Sequence, residues 1–484
     1  MPDLSDLTTS AVLKDAQARL AGYLTPSVRL GVTGLARSGK TVFITALVRN
    51  LVTGGRLPFF TPDSDGRIVR AYLEPQPDDN LPRFEYEAHL DELMGDPPEW
   101  PESTRRISEL RVTIEYATAN RLKRALGLSK VHLDIVDYPG EWLIDLPLLD
   151  QDYVAFSREA LALATAPSRA AHAKPWLDFL AGTDPAARED EQIAREGATL
   201  YTNYLRAVRA SGAQATLAPG RFLLPGDLEG SPLLTFFPMP LVSDTAPSRG
   251  SLGSMMARRY ESYKAQIVRP FFTDHFRRLD RQIVLVDVIG ALDQGAEAVN
   301  ELERAIGSVL QCFRPGTNSW LSMILGRKID KVLFAATKAD HLPASSHDRL
   351  GAILKRIVET ASLRAEGEGA GVETLAMSAL RATRETQVRQ GGETLPCLRG
   401  TPLSGQKIGA TVFDGKTEAA IFPGDLPASA AEALDRALAA PGSLSLVRFR
   451  PPRIVGTPED RNSAALPHIR LDRALDFLIA DYLA

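Results

Sequence analysis

Gly34-Leu35-Ala36-Arg37-Ser38-Gly39-Lys40-Thr41 fits the spacing G-x-x-x-x-G-K-[ST] without a gap. Each position has a physical task. Glycine permits backbone conformations and close approaches that a Cβ would block. The turn aims successive N–H groups inward at a helix N-terminus, which makes a nest for phosphate. Lys40 supplies a point charge for β- and γ-phosphates, and the Thr41 hydroxyl is a Mg²⁺ ligand. Ser38, Gly39 and Val42 complete the stretch expected to touch the phosphates. Arg37 stands inside the loop, where a small residue is common. It can neutralise charge developing in a transition state, or it can face solvent.

A second set of residues suits the metal and the attacking water. Asp137 ends the apolar run Val131–Val136, and Gly140 follows at the third position. An aspartate there holds the Mg²⁺ shell, and a glycine there can offer its N–H to the γ-phosphate and hinge when that phosphate leaves. Asp287 and Gly290 repeat the spacing after another apolar run. The order strand, helix, strand counted from the loop favours Asp137 and leaves Asp287 structural. Asp134, earlier in the same run, reads as a structural carboxylate. Thr104 is the candidate switch threonine for Mg²⁺, with Thr61 and Ser103 competing. Glu141 directly follows Gly140, where a water-orienting glutamine is common. A carboxylate could orient or deprotonate water, yet it would also sit near the γ-phosphate charge, which leaves the hydrolytic mechanism open.

Thr337-Lys338-Ala339-Asp340 follows the apolar run Lys331–Ala336 and fits [N/T]-K-x-D. Guanine presents N1–H and an exocyclic amine to one carboxylate; adenine lacks that donor pair, so Asp340 would discriminate between them. The stem of Lys338 can cover the purine face. Ser378-Ala379, after Val372–Met377, resembles the later S-A motif whose backbone N–H reaches guanine O6.

These residues need strands and helices to hold them. Val28–Thr33 reads as a strand and Lys40–Leu51 as a helix, the strand–loop–helix context that a phosphate loop requires. Leu110–Tyr116, Val131–Val136, Ile283–Val288, Lys331–Ala336 and Val372–Met377 read as further strands. Ala296–Phe313, His347–Arg364 and His468–Leu483 carry apolar residues at helical spacing. Residues 4–24 read as a leading helix and residues 55–103 as irregular. Strand–helix alternation predicts an α/β fold with a mostly parallel sheet. The expected division is an N-terminal helix (1–27), a first core part (28–142), a largely helical insertion (143–280), a second core part (281–385), a smaller β-containing insertion (386–467) and a closing helix (468–484).

Length and composition set the bounds. A chain of 484 residues exceeds one compact core. The net charge of −4, with both signs interspersed, does not indicate nucleic acid as a bulk partner. Two cysteines, Cys312 and Cys397, form neither a disulfide framework nor a metal-ligand spacing. The acidic, polar start does not read as a signal peptide, and no run approaches the ~18–20 apolar residues that span a bilayer. The expected location is the cytoplasm, with a peripheral membrane contact left open.

Together the stretches Val32–Thr41, Leu133–Trp142, Phe334–Asp340 and Phe422–Pro427 resemble the YcjX-like family of bacterial P-loop proteins. The string Asp137-Tyr138-Pro139-Gly140-Glu141-Trp142 is the most specific part, and the resemblance covers nearly the whole chain. It implies a Ras-like GTP-binding core with family-specific insertions, in cytosolic proteins associated with stress responses. The leading expectation is a GTP/GDP- and Mg²⁺-binding GTPase switch whose insertions report its state to a protein effector or regulator. A P-loop ATPase or small-molecule kinase, and a nucleotide-bound scaffold with negligible turnover, are the competing readings.

Overall fold

The computed structural model describes residues 25–34, 38–102, 106–118, 129–211, 217–241, 248–311, 329–367, 370–390, 392–439, 442, 444–454 and 463–484. The expected helix over 4–24 lies outside them, as do Arg37, Ser103, Thr104 and Cys312.

Seven strands form the central sheet: β1 (Ser27–Gly34), β2 (Ile68–Glu74), β3 (Ser108–Tyr116), β4 (Ser129–Asp137), β5 (Arg281–Val286), β6 (Lys331–Ala336) and β7 (Gly371–Ala376). Their spatial order is β2-β3-β4-β1-β5-β6-β7. β4, β1, β5, β6 and β7 run parallel, and β3 and β2 extend the sheet antiparallel at one edge.

Helices α1 (Lys40–Thr53), α2 (Thr61–Ser64) and α3 (Tyr86–Met94) lie in the first part of the chain. Between β4 and β5 come α4 (Gly140–Leu143), α5 (Tyr153–Ala164), α6 (Pro167–Ala181), α7 (Glu191–Ala210), α8 (Gly220–Leu223), α9 (Leu252–Tyr263) and α10 (Arg269–Asp274), with a π-helical turn over Lys264–Val268. Helices α11 (Val288–Gln294) and α12 (Ala296–Gln311) follow β5, and α13 (His347–Gly367) joins β6 to β7. Beyond β7, strands β8 (Arg384–Gln390), β9 (Glu393–Gly400) and β12 (Ala419–Ile421) make a small antiparallel sheet. β10 (Lys407–Ile408) and β11 (Thr411–Val412) make a separate ribbon. Helices α14 (Ala430–Ala439) and α15 (Leu471–Ile479) complete the order.

Side-chain alternation decides which core each strand residue enters. Ile283 and Leu285 join one core with Phe43 and Leu47 of α1 and Leu475 and Leu478 of α15. Val284 and Val286 point the other way, into a core shared with the helices between β4 and β5. That second core is rich in aromatic contacts: Trp176 stacks on Tyr204 with centroids 5.5 Å apart, and Phe156 on Tyr260 at 4.8 Å. Its helices start where polar caps allow. Asp190 accepts hydrogen bonds from Gln192 N and Ile193 N at the start of α7, and Asp152 accepts from Ala155 N at the start of α5. Ala194, Gly197, Ala198, Tyr201, Tyr204, Leu205 and Val208 then form the buried stripe of α7.

Several sequence expectations shift. Residues 55–103 are not wholly irregular, for they contain α2, β2 and α3. β2 is an edge strand in which only Ala71 is fully buried, so its apolar alternation is weak. The strand expected over Ile283–Val288 ends at Val286, because Asp287 caps α11 through Gly290 N at 3.0 Å. The closing helix starts at Leu471 rather than His468, since Ile469 pairs as a β-bridge with Ser378. Cys397 lies buried on β9, as expected of a small apolar residue. No helix among the described residues is long and apolar enough to cross a membrane.

Candidate nucleotide site

The carboxyl ends of the parallel strands bring the sequence-identified residues to one edge of the sheet, the edge at which open α/β sheets hold ligands. Gly34 ends β1, Asp137 ends β4, Thr337 follows β6 and Ser378 lies just past β7. Register fixes the neighbours: Asp137 lies beside Val32 of β1 on one side and Ser108 of β3 on the other.

Gly34 is packed too tightly for a side chain. A Cβ there would lie 2.1 Å from Ser38 Oγ and 2.7 Å from the Leu285 carbonyl oxygen. Gly39 takes the left-handed conformation, φ 89°, immediately before α1. Its carbonyl accepts from Phe43 N at 2.8 Å, starting the helix. Lys40 Nζ donates to the Gly34 carbonyl at 3.4 Å, so the ammonium turns back to the end of β1. Thr41 is buried, and its carbonyl accepts from Thr45 Oγ1 at 2.8 Å. Val42 is only partly buried in the first turn. Ser38 Oγ and Thr33 Oγ1 are buried without a hydrogen-bond partner among the described residues. Ser38 directly precedes Gly39, the N-cap of α1, and a hydroxyl free to donate there suits a phosphate, which accepts hydrogen bonds. Among the described residues there is no group of three or more His, Cys, Asp or Glu placed to hold a metal. Thr41 lies in the first turn of α1 and Asp137 ends β4 beside β1, a placement that would suit a Mg²⁺ held by one or two protein oxygens plus phosphate and water.

The other aspartates are accounted for by structure. Arg111 holds Asp134 with two hydrogen bonds, 2.6 and 2.8 Å. Asp287 caps α11 and pairs with Lys338 Nζ. Thr61 follows the far end of α1 from Lys40, and its N–H donates to Asp476 at 2.8 Å. Fourteen residues of α1 separate it from the phosphate loop, about 20 Å at 1.5 Å per residue.

The segment after Asp137 is gripped by the helical region. Gly140 shares a small cleft with Thr33 and Gly34. Glu141 is buried, and Arg209 from the last turn of α7 donates to its Oε1 at 2.7 Å. Tyr138 Oη donates to Gln282 Oε1 at 2.6 Å. Trp142 Nε1 donates to the Leu224 carbonyl at 3.3 Å, and the Arg221 guanidinium lies 3.1 Å over its ring. Asp145 accepts from Gly220 N at 2.6 Å, Arg221 N at 3.3 Å and Tyr263 Oη at 2.6 Å. Burial pushes its carboxyl up to about 6 even though those donors and the Arg221 charge pull the other way. Gly220 packs so closely that a Cβ would lie 1.9 Å from the Glu141 carbonyl oxygen.

On the base side, Lys338 takes a left-handed φ of 61° that turns the chain into a short 3₁₀ segment carrying Asp340. Asp340 is buried, and its Oδ2 accepts from Ala382 N at 2.9 Å. Thr337 N–H donates to the Val286 carbonyl at 2.9 Å, and Ala339 N–H to that of Met377 at 3.1 Å, so β6 and its neighbours fix the turn. Ser378 Oγ donates to the Leu380 carbonyl at 3.0 Å. Ser378 N–H donates to the Ile469 carbonyl at 3.0 Å, so the guanine reading uses the Ala379 amide. Burial holds the imidazole of the adjacent His341 below its ordinary value.

Comparison with known proteins finds relatives over nearly the whole chain. The Ras-like GTPase YcjX of Escherichia coli (strain K12) is 37% identical over 466 residues, covering 94% of this chain and 96% of that protein. The Ras-like GTPase YcjX of Shewanella oneidensis is 32% identical over 499 aligned residues, covering 99% of each. The family model described as YcjX-like family, DUF463, matches residues 28–483, and this chain belongs to the YcjX-like family.

Proposed function

We propose that this chain binds GTP and GDP with Mg²⁺ and hydrolyses GTP as a regulatory switch. The observation that supports the reading is that Gly34 with the N-terminus of α1, Asp137 and the buried Asp340 all lie at the carboxyl ends of the parallel strands. The names of its relatives, Ras-like GTPase, favour the same reading.

In this reading Ser38, Gly39, Lys40 and Thr41 hold the phosphates, and Thr337, Lys338, Asp340, Ser378 and Ala379 hold the base. Thr41 and Asp137 would hold Mg²⁺, with Thr104 as a third candidate; the ion when bound neutralises phosphate charge. Gly140 donates its N–H toward the γ-phosphate and Glu141 orients water. Arg37 remains a candidate for stabilising transition-state charge. Residues 143–280 act as an insertion that senses the 138–145 segment and reports to a protein partner, and residues 386–467 as a second insertion.

A second reading is favoured by one feature: Glu141 is buried and ion-paired, which suits a nucleotide-held scaffold with little turnover. Titration of GTP, GDP and ATP with and without Mg²⁺, followed by single-turnover hydrolysis, separates these. Guanine preference with measurable hydrolysis supports the switch, and guanine preference without it supports the scaffold. Equal affinity for ATP would sink the guanine assignment.

A further inference from the structure

Glu141 poses a charge problem. It directly follows Gly140, which lines a small cleft with Thr33 and Gly34, where β1 gives way to the phosphate loop, and with apolar side chains of β5 and α12. In the nucleotide reading Gly140 faces the γ-phosphate, and a bare carboxylate on the next residue would repel that phosphate. The side chain cannot escape into solvent, being only 8% exposed. Its backbone is pinned as well, by the close packing of Gly220 on its carbonyl.

We propose that Arg209 is a positioning residue that neutralises Glu141 and so allows a carboxylate to stand beside the triphosphate. This rests on the nucleotide reading above. Arg209 Nη2 meets Glu141 Oε1 at 2.7 Å, a charge-assisted hydrogen bond. The arginine belongs to the last turn of α7, where the helix dipole favours a cation. Arg209 is partly exposed and Glu141 buried, so removing the arginine leaves a buried carboxylate without its counter-charge. In this proposal Arg209 is the charged contact through which the helical region acts on the chemistry. It sets the charge that the γ-phosphate meets, and the γ-phosphate is what distinguishes GTP from GDP.

The test uses the full chain as wild type, Arg209→Gln, Arg209→Lys, Glu141→Gln and the double variant Arg209→Gln/Glu141→Gln. The measurements are the Mg²⁺-dependent affinities for GDP and a non-hydrolysable GTP analogue, with circular dichroism melts as a folding control. Arg209→Gln should lower the ratio of GTP-analogue to GDP affinity by about tenfold. Arg209→Lys should keep most of the wild-type ratio, because the charge remains. The double variant should return the ratio to within about threefold of wild type, since no carboxylate is left to compensate. An arginine that merely braced the fold would not move that ratio, nor would Glu141→Gln restore it. An unchanged ratio in folded Arg209→Gln, or an equal fall in the double variant, overturns the proposal while the nucleotide reading stands. A wild type that binds neither nucleotide overturns both.

Discussion

Asp340 accepts a hydrogen bond at 2.9 Å from the backbone N–H of Ala382, so the carboxylate proposed to meet the base is aimed by a chain segment beyond β7. Asparagine at 340 keeps an oxygen that can accept from Ala382 but replaces the other carboxylate oxygen with a donor. That donor opposes the guanine N1–H and amine. Asp340→Asn should therefore lose guanine affinity by about 10- to 100-fold, corresponding to ~1–3 kcal/mol, with a melting temperature close to wild type. Competition titration against ATP checks it. Undiminished GTP binding in the variant would remove Asp340 from the base site.

Gly34 and Gly39 are both required by the loop, but for different reasons, and substitution can tell them apart. At Gly34 the obstacle is space: a Cβ meets Ser38 Oγ, the Leu285 carbonyl and Leu285 Cβ, all within 2.9 Å. At Gly39 nothing lies within 4 Å, and the obstacle is φ alone. Asparagine tolerates the left-handed region better than other non-glycine residues. Gly39→Asn should therefore be milder than Gly39→Ala, whereas Gly34→Asn should be at least as damaging as Gly34→Ala. Each Gly34 variant should lose about 1–3 kcal/mol by overpacking. Urea midpoints and nucleotide affinity measure both series. A Gly34→Ala protein of wild-type stability would contradict the packing argument.

The residues legible in the sequence are those whose physics is local. Gly34–Thr41 and Thr337–Asp340 are each contiguous in sequence, and the strands and helices that flank them have strong apolar periodicity. What could not be read is pairing across the chain. Arg209 lies 68 residues from Glu141, Tyr263 lies 118 from Asp145, and Ala382 lies 42 from Asp340. No spacing rule links such positions. Asp145 has a signal only in retrospect, as a lone carboxylate among Ile144, Leu146, Leu148 and Leu149. β2 escaped for the opposite reason: as an edge strand it buries too little to show a pattern.

Asp145 should make stability fall as pH rises through the mildly acidic range. Burial raises its folded-state carboxyl from 3.8 to about 6. Between those values the folded chain holds a proton that the unfolded chain has released, so the slope of stability against pH is negative there. Above about 6 the full cost is present, and two pKa units correspond to ~3 kcal/mol at most. Asp145→Asn removes the titration while keeping an acceptor for Gly220 N. The stability of the variant relative to wild type should therefore rise from pH 4 to pH 6 and level off above. Urea unfolding of both proteins across that range reports the difference, and a flat difference would mean that Asp145 titrates alike in both states.

Trp142 should report nucleotide state, and Gly220 should decide whether it can. The indole donates to the Leu224 carbonyl, lies under Arg221 and meets Phe271 edge-on at 5.7 Å, so its surroundings come from the helical region. Its backbone belongs to the segment that begins at Gly140, beside the phosphate loop. If that segment shifts when the γ-phosphate arrives, the indole shifts against fixed neighbours and its emission changes. Exchange of GDP for a non-hydrolysable GTP analogue should alter wild-type fluorescence, and Trp142→Phe should abolish the change. Gly220→Ala places a methyl where a Cβ would be 1.9 Å from the Glu141 carbonyl, prying the two segments apart. That variant should show red-shifted emission in both nucleotide states and little difference between them. A nucleotide-dependent signal surviving intact in Gly220→Ala would mean that the contact does not carry the state of the site into the helical region.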